Sequence, residues 1–300
     1  MALSYKTIPY NDIEFINRLD SKYYQLRDTI QEYEIKNRKN VLRLGDVIDK
    51  EETIILDEKS IGYVVAQLQK FCLLDATRDA VGDAFEVFIG HALKGAQGQF
   101  FTPKNVVKMI VEMIDLKPNE KIIDPCCGSG GFLVEALKNV WLKAEQNFAE
   151  LGWPEREIEI EKQRIAIENF RGIDKDDFLS KVCKAQMAIL GDGRGGVFCE
   201  NSLDIPTKWQ QKTQDKIELG KFDVLITNPP YGSKIKIDDK EVLKQFDVGY
   251  KWKKDKKTGV WEKGKIRDND TPQNLFIERC VDFVKPGGRL ALVLPDGIYG

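Results

Sequence analysis

From about residue 98 onward, short apolar runs alternate with segments of helical periodicity, and this alternation constrains the fold more than any other feature. The predicted strands are five apolar runs, at 121–125, 170–174, 196–200, 222–228 and 289–295. The helical patterns that separate most of them lie at 106–114, 132–148, 178–190 and 275–284. Strands and helices in this order form βαβ units, so the sequence predicts an α/β fold with a mainly parallel sheet.

The composition is that of a folded protein. Of the 300 residues, 42% are hydrophobic and 31% are charged, which is enough to bury one large core or two modest ones and excludes disordered and fibrous proteins. With 46 basic and 48 acidic residues, the overall charge gives no sign of general nucleic-acid binding. His91 is the only histidine, which disfavours a histidine triad, a histidine-rich metal site or a histidine general base.

The six cysteines show no C-x-x-C spacing, so we expect reduced thiols and no bound metal. The first residues lack the charged start and apolar run of a signal peptide, and no window has about 18 apolar residues. We therefore expect a cytoplasmic protein that does not enter a membrane.

We predict two regions. Residues 1–90 have helical spacing without a motif, which is typical of a helical region that docks on a partner or on DNA. Residues 91–300 form the α/β catalytic domain. Within it, residues 231–270 break the alternation, and eight basic residues lie among tryptophans between Lys251 and Arg267. A segment of this length without a strand or helix pattern is usually a functional or disordered loop.

A glycine-rich turn follows the first predicted strand, in Asp124-Pro-Cys-Cys-Gly-Ser-Gly-Gly-Phe132. Its glycines allow a ligand to approach the backbone, and the following helix offers free N–H groups to an anion. The turn departs from G-x-G-x-x-G because Leu133 occupies the third glycine position, so a nicotinamide cofactor fits poorly. We interpret the turn as a cofactor-binding loop; the alternative is an ordinary connection between strand and helix.

Asp174 ends the second predicted strand and would lie beside the glycine-rich turn, where its carboxylate can accept both hydroxyls of a ribose. Its separation from Gly128 exceeds the roughly 20 residues of a dinucleotide fingerprint. The excess coincides with a charged helical stretch, 143–164, which we interpret as an insertion after the first helix.

The fourth predicted strand ends in Asn228-Pro-Pro-Tyr231. The two prolines remove backbone donors, which leaves the Asn228 side-chain oxygen and the Pro229 carbonyl as acceptors at the carboxyl edge of the sheet. Tyr231 adds an aromatic face beside them. This combination suits a planar group that carries an NH₂.

Three motifs, in the order Gly98-Gln-Phe-Phe-Thr-Pro103, Asp124-Pro-Cys-Cys-Gly-Ser-Gly130 and Asn228-Pro-Pro-Tyr231, resemble the N6-adenine DNA methyltransferases. More narrowly, the chain resembles the modification subunit of type I restriction-modification systems. The resemblance covers residues from about 80 to 300. It implies a Rossmann-like methyltransferase sheet, S-adenosylmethionine as the cofactor and an adenine-specific DNA methyltransferase activity.

The resemblance also implies roles for individual residues. The segment that wraps the methionine end of the cofactor comprises Gly98, Gln99, Phe100, Phe101, Thr102 and Pro103, the last two also starting the next helix as N-cap and first residue. The cofactor-binding residues around the glycine-rich turn are Asp124, Cys126, Gly128, Ser129 and Gly130, and of these Asp124 and the turn at 128–131 hold the amino acid moiety. Asp174 holds the ribose, and Asn201 stands where the family often has an aspartate for the cofactor's adenine.

The resemblance also implies which residues are catalytic: Asn228, Pro229, Pro230 and Tyr231. Acceptors from Asn228 and Pro229 would bind the exocyclic amine of a flipped adenine, and Tyr231 would stack on the base. The reaction needs no histidine base, because the methylated cationic amine is acidic enough to lose its proton to a neighbouring acceptor or to water.

The family's sheet usually has two further strands, so we expect the sheet here to be incomplete after the fifth strand. The implied partners are double-stranded DNA, a separate specificity subunit, a second modification subunit and a translocase-nuclease subunit. Two alternatives stay open: methylation of an RNA base or of a protein glutamine, and a non-catalytic assembly fragment with a vestigial cofactor fold.

Overall fold

The computed structural model describes residues 57–68, 102–190, 196–230 and 236–298. The chain divides into two units, Met1–Gln99 and Phe100–Gly300. In the first unit the described residues form helix α1, Glu58–Leu68. The Asp57 carboxylate caps it by accepting the backbone N–H of Ser60 at 3.0 Å and the Ser60 hydroxyl at 2.7 Å. The predicted boundary near residue 90 stays a prediction, because most of the first unit lies outside the described residues.

The described part of the second unit contains seven strands: β1 (Ile122–Asp124), β2 (Phe170–Asp174), β3 (Val197–Cys199), β4 (Phe222–Thr227), β5 (Tyr250–Lys254), β6 (Trp261–Ile266) and β7 (Val284–Leu292). Five of them form one sheet in the spatial order β3-β2-β1-β4-β7, and all neighbouring pairs are parallel. The other two, β5 and β6, form an antiparallel hairpin.

The helices of this unit are α2 (Lys104–Met113), α3 (Gly131–Glu150), α4 (Glu155–Asn169), α5 (Asp177–Leu190), α6 (Gln211–Gln214), α7 (Lys240–Leu243) and α8 (Pro272–Phe283), with 3-10 turns at Pro206–Lys208 and Asp296–Ile298. Successive strand residues serve opposite faces of the sheet: Ile122 packs with the core under α2, α3 and α5, and Ile123 packs with the core under α8. None of the described helices is long and apolar enough to cross a membrane.

The predicted α/β fold with a mainly parallel sheet is therefore confirmed. The predicted insertion at 143–164 is the end of α3 followed by α4, and the two helices are joined where the Trp141 indole N–H donates to the Lys162 carbonyl at 2.7 Å. The fifth strand of the sheet, β7, starts at Val284 rather than at 289. The proline and two glycines of 285–288 look like a turn in sequence, but they form an irregular, bulged start to the strand.

The expectation of a loop without regular structure at 231–270 is wrong for the basic segment, which forms the hairpin of β5 and β6. Nearly all of the hairpin's side chains are exposed, so no alternation of apolar and polar residues marks its strands. The feature of the sequence that could have predicted the hairpin is its turn. The Asp255 carboxylate accepts the N–H groups of Lys257 and Thr258 at 2.7 Å, and Gly259 follows with a φ of 72°.

Candidate active site

The functional side chains lie where the central strands of the sheet end. β1 lies between β2 and β4, and the three strands end at Asp124, Asp174 and Thr227. Because parallel strands place their carboxyl ends at the same edge, this arrangement brings two carboxylates and the residue after β4, Asn228, to one edge of the sheet. Ligands of open α/β sheets bind at this edge.

Asp124 is buried, with 1% of its surface exposed. Its Oδ1 accepts the Thr227 hydroxyl at 2.6 Å and the backbone N–H of Cys126 at 3.0 Å, which ties the end of β1 to the end of β4. Its Oδ2 is equally buried but has no hydrogen-bond partner in the described part of the chain. A buried acceptor without a donor costs about 1–3 kcal/mol, so this oxygen is suited to receive a donor from a ligand.

Burial also changes the charge state of Asp124. Loss of solvation raises the pKa of its carboxyl from 3.8 to about 7, even though the bonds from Thr227 and Cys126 act in the opposite direction. The negative charge of Asp174 raises the pKa further. A cationic donor at Oδ2 would favour the ionised form, so the carboxylate is suited to an ammonium group.

Asp174 is joined directly to the glycine-rich turn. Its Oδ2 accepts the N–H of Gly128 at 2.8 Å, and its Oδ1 accepts the N–H of Asp176 at 2.9 Å. Gly128 presents that N–H from a left-handed conformation, with a φ of 52°. Each carboxylate oxygen can accept more than one hydrogen bond, so the fixed Asp174 can still bind a pair of hydroxyls.

Gly130 makes the close packing of the turn possible. It precedes α3 in a left-handed conformation, with a φ of 99°, and a Cβ at this position would lie 2.7 Å from Cys183 Sγ on α5. Gly131, the next residue, has nothing within 4 Å of its Cβ position. The strict requirement for glycine therefore falls on Gly130.

We expect Gly130→Ala to lower the free energy of unfolding by about 2–4 kcal/mol, of which roughly 1–2 kcal/mol comes from the left-handed backbone and the rest from overlap with Cys183. Urea unfolding measures the loss. The matched control Gly131→Ala should change stability by less than about 1 kcal/mol. Equal losses in the two variants would show that neither the overlap with Cys183 nor the left-handed backbone makes Gly130 more sensitive than Gly131 to substitution.

Asn228 joins the predicted substrate motif to the predicted cofactor segment. Its Nδ2 donates to the Thr102 hydroxyl at 2.9 Å, across 126 positions of sequence. This bond orients the amide, so that Oδ1 is its acceptor end. Oδ1 is buried and has no hydrogen-bond partner among the described residues. Among the described residues, the site thus contains a second buried acceptor that is suited to receive a donor from a ligand.

The predicted capping role of Thr102 is wrong. Helix α2 begins at Lys104 with Pro103 as its N-cap, and no side chain caps it. Pro103 accordingly precedes the first helical residue. The Thr102 hydroxyl instead serves Asn228, a contact that helix-capping statistics cannot predict because it depends on the distant strand β4.

Asn201 follows β3. The nitrogen and the oxygen of its side-chain amide both form hydrogen bonds within its own loop. Nδ2 donates to Asp204 at 3.0 Å, and Oδ1 accepts the N–H of Leu203 at 3.2 Å. The cofactor contact assigned to Asn201 stays a prediction. Cys126 and Ser129 are half-buried in the turn, Pro229 is buried and Pro230 is exposed. The predicted site residues that lie outside the described part of the chain are Gly98, Gln99, Phe100, Phe101 and Tyr231.

Thr227 and Cys183 are not among the predicted site residues, yet both contribute to the site. In sequence, Thr227 is only a β-branched residue at the end of a strand, and Cys183 is one apolar position of a helix. Both matter through residues distant in sequence: Thr227 bonds to Asp124 at the end of the neighbouring strand, and Cys183 lies against Gly130 in the turn. A hydroxyl at the end of a buried strand was the available signal for Thr227.

Comparison with known proteins agrees with this arrangement. The model of the family described as N-6 DNA Methylase matches residues 76–299. The methylase subunit of the type I restriction enzyme EcoKI from Escherichia coli is 24% identical over 277 residues, which is 87% of this chain and 46% of that protein. The chain spans between about a third and a half of the length of the curated relatives it matches first.

Two solved structures share the fold. A Vibrio vulnificus chain described as a modification subunit of a type I restriction enzyme has a TM-score of 0.55 and 22% identity, covering 82% of this chain and 45% of its own. A Listeria monocytogenes chain described as a class I S-adenosylmethionine-dependent methyltransferase has a TM-score of 0.54 and 19% identity, covering 95% and 76%. The five-stranded sheet thus has the Rossmann-like fold of these two structures, and with three quarters of its length matched, the chain belongs to the N-6 DNA methylase family.

Proposed function

We propose that this chain transfers a methyl group from S-adenosylmethionine to the N6 amine of an adenine flipped out of DNA, as part of a type I modification subunit. The observation that carries the proposal is the buried, unpartnered Oδ1 of Asn228, held by Thr102 at the sheet edge that also carries Asp124 and Asp174. Membership of the N-6 DNA methylase family supports the same reaction.

The residues at the edge suit S-adenosylmethionine. The cofactor's ammonium group can donate to the unpartnered Oδ2 of Asp124, and its ribose hydroxyls can donate to Asp174. Nothing lies within 4 Å of the Cβ position of Gly128, so the turn leaves room there for close approach of the ligand. When bound, the cofactor supplies a methyl group on a positively charged sulfur, which is a strong electrophile.

Asn228 would prepare the nucleophile. The exocyclic nitrogen of adenine is a weak nucleophile because its lone pair is delocalised into the ring. A hydrogen bond from this NH₂ group to Asn228 Oδ1 favours a more tetrahedral nitrogen and holds it in one orientation. Thr102 contributes by holding the amide of Asn228, so we assign it a positioning role. The proton of the methylated amine would pass to a neighbouring acceptor or to water.

Flipping of the base brings the amine to the edge of the sheet. A base within the duplex cannot reach an acceptor as buried as Asn228 Oδ1, so extrusion is required. We propose that Tyr231 stacks on the extruded base and that Pro229 offers its carbonyl as the second acceptor. Pro230 is exposed.

The proposed partners follow from the family. The E. coli relative is named a methylase subunit of a restriction enzyme. We propose that this chain likewise acts with a specificity subunit that selects the DNA sequence, a second modification subunit and a translocase-nuclease subunit.

The test is transfer of a labelled methyl group from S-adenosylmethionine by the protein together with its specificity subunit. We expect label on adenine in duplex DNA and none on RNA or protein. Label on RNA or on protein glutamine, with none on DNA, would establish the alternative substrate class. No transfer by a folded complex that also fails to bind S-adenosylmethionine in calorimetry would establish a non-catalytic assembly protein.

A further inference from the structure

The hairpin of β5 and β6 has no part in the proposed methyl transfer, yet it is the most strongly basic segment of the chain. Between Lys251 and Arg267 there are eight basic residues and two acidic ones. One of the acids, Asp255, is occupied by the backbone N–H groups of the turn. Nearly all side chains of both strands are exposed, so both faces of the hairpin are open to solvent in the described structure.

The hairpin belongs to an insertion that leaves and re-enters the fold at the site. The chain leaves β4 at Asn228 and returns at Pro272, where α8 begins. Because a helix that follows a parallel strand runs back along the sheet, both ends of the insertion lie at the carboxyl edge. Backbone bonds between Ile237 and Asp270, at 2.8 and 3.0 Å, close the insertion next to its two ends.

The base of the hairpin is firmly attached to the catalytic unit. Phe246, which is fully buried, packs in a cluster with Leu275 and Phe276 of α8. The Glu278 carboxylate on the same helix accepts the N–H groups of Asp247 and Val248 at 2.6 and 2.9 Å. These contacts hold the start of β5 against α8, so the hairpin has a defined position relative to the site.

Aromatic and basic side chains alternate on one face of the hairpin. The strand register places Trp252 opposite Lys263 and Lys254 opposite Trp261. The Lys263 ammonium lies 4.0 Å from the centre of the Tyr250 ring, and that of Lys254 lies 6.0 Å from the centre of the Trp261 ring. These contacts keep the rings and the ammonium groups side by side on a surface exposed to solvent.

Five lysines of the hairpin have no acidic partner among the described residues: Lys253, Lys254, Lys256, Lys257 and Lys265. Lys256 and Lys257 lie at its tip, between the two strands. Unneutralised charges at the end of a projecting ribbon are suited to a polyanion, whereas the core of a protein interface is normally depleted of lysine.

We propose that this hairpin is a β-ribbon that binds the sugar-phosphate backbone of duplex DNA beside the target adenine, a role that rests on the proposed function. Lys256 and Lys257 contact phosphates, and the rings of Tyr250, Trp252 and Trp261 pack against the sugars. A two-stranded ribbon has dimensions that the major groove accepts. The contact supplies affinity for DNA in general, and sequence selection belongs to another subunit.

The experiment compares the double variant Lys256→Gln/Lys257→Gln with the control Lys121→Gln/Lys221→Gln in the assembled enzyme. The control lysines are also exposed and precede β1 and β4, at the opposite edge of the sheet. Binding of a duplex oligonucleotide is measured by fluorescence anisotropy between 50 and 200 mM salt. We expect the hairpin variant to bind about tenfold more weakly at low salt, and its salt slope to fall by about 1.8, while the control matches the unmodified enzyme.

Two results would overturn the inference while leaving the proposed function intact. One is equal DNA affinity in the hairpin variant and the control. The other is loss of subunit assembly, seen by size-exclusion chromatography, with unchanged DNA affinity in the assembled fraction, which would identify a protein partner. If the unmodified enzyme methylates RNA or protein instead of DNA, the proposed function fails and this inference fails with it.

Discussion

Replacing Asn228 with alanine is expected to slow methyl transfer to DNA adenine by at least about 100-fold, the range typical for loss of one preorganised group at a reacting atom. The substitution removes the buried Oδ1, for which the described structure offers no donor, and leaves the cofactor side of the site unchanged. The affinity for S-adenosylmethionine should therefore change by less than about threefold. Single-turnover transfer of a labelled methyl group, with calorimetry for the cofactor, measures both quantities.

Two further variants separate the roles within this contact. Asn228→Asp keeps an acceptor oxygen and should retain more activity than alanine. Thr102→Val leaves Asn228 present but removes the hydroxyl at 2.9 Å that orients it, so we expect a loss of about tenfold in kcat with little change in KM for the cofactor. Thr102→Ser should restore the rate. Full activity of Asn228→Ala in a folded enzyme would contradict the proposed mechanism.

Replacing Asp124 with asparagine is expected to change how stability depends on pH. The carboxyl has a pKa of 3.8 in the unfolded chain and of about 7 when folded, because burial disfavours its charge. Between these values the folded state binds a proton that the unfolded state has released, so the free energy of unfolding falls as pH rises. The full difference corresponds to roughly 4 kcal/mol, and it is absent in Asp124→Asn.

Urea unfolding of both proteins at pH 4, 5, 6, 7 and 8 tests this prediction, because the other titrating groups are common to both. The stability of the unmodified chain should fall relative to Asp124→Asn up to about pH 7 and run parallel to it above. Parallel curves over the whole range would show that Asp124 is not perturbed by burial. The free energy lost between about pH 4 and pH 7 is the part that a cationic ligand can recover.

The same carboxyl is expected to couple cofactor binding to pH. An ammonium group at Oδ2 favours the ionised form, so the affinity for S-adenosylmethionine should rise as pH increases through about 7. Asp124→Asn should bind the cofactor at least about tenfold more weakly and without this dependence. Equal affinity in the two proteins at pH 8 would remove Asp124 from the cofactor site.

The strands of the main sheet could be predicted because each is buried on both faces and so reads as an uninterrupted apolar run. Ile122 and Ile123 serve opposite cores, and both have to be apolar. The exposed hairpin could not be predicted in the same way. Its strands, at Tyr250–Lys254 and Trp261–Ile266, are specified by a turn and by cross-strand pairs rather than by burial.

By itself, the sequence determined the α/β fold and the order of its motifs, and it indicated which strand ends carry Asp124, Asp174 and Asn228. These depend on local patterns: apolar periodicity, glycines at a turn and prolines after a strand. Only the tertiary structure decided which acceptors are left without donors and which residues orient them. The bonds from Thr227 to Asp124 and from Asn228 to Thr102 span more than 100 positions of sequence, and they form only because parallel strands bring distant segments to one edge.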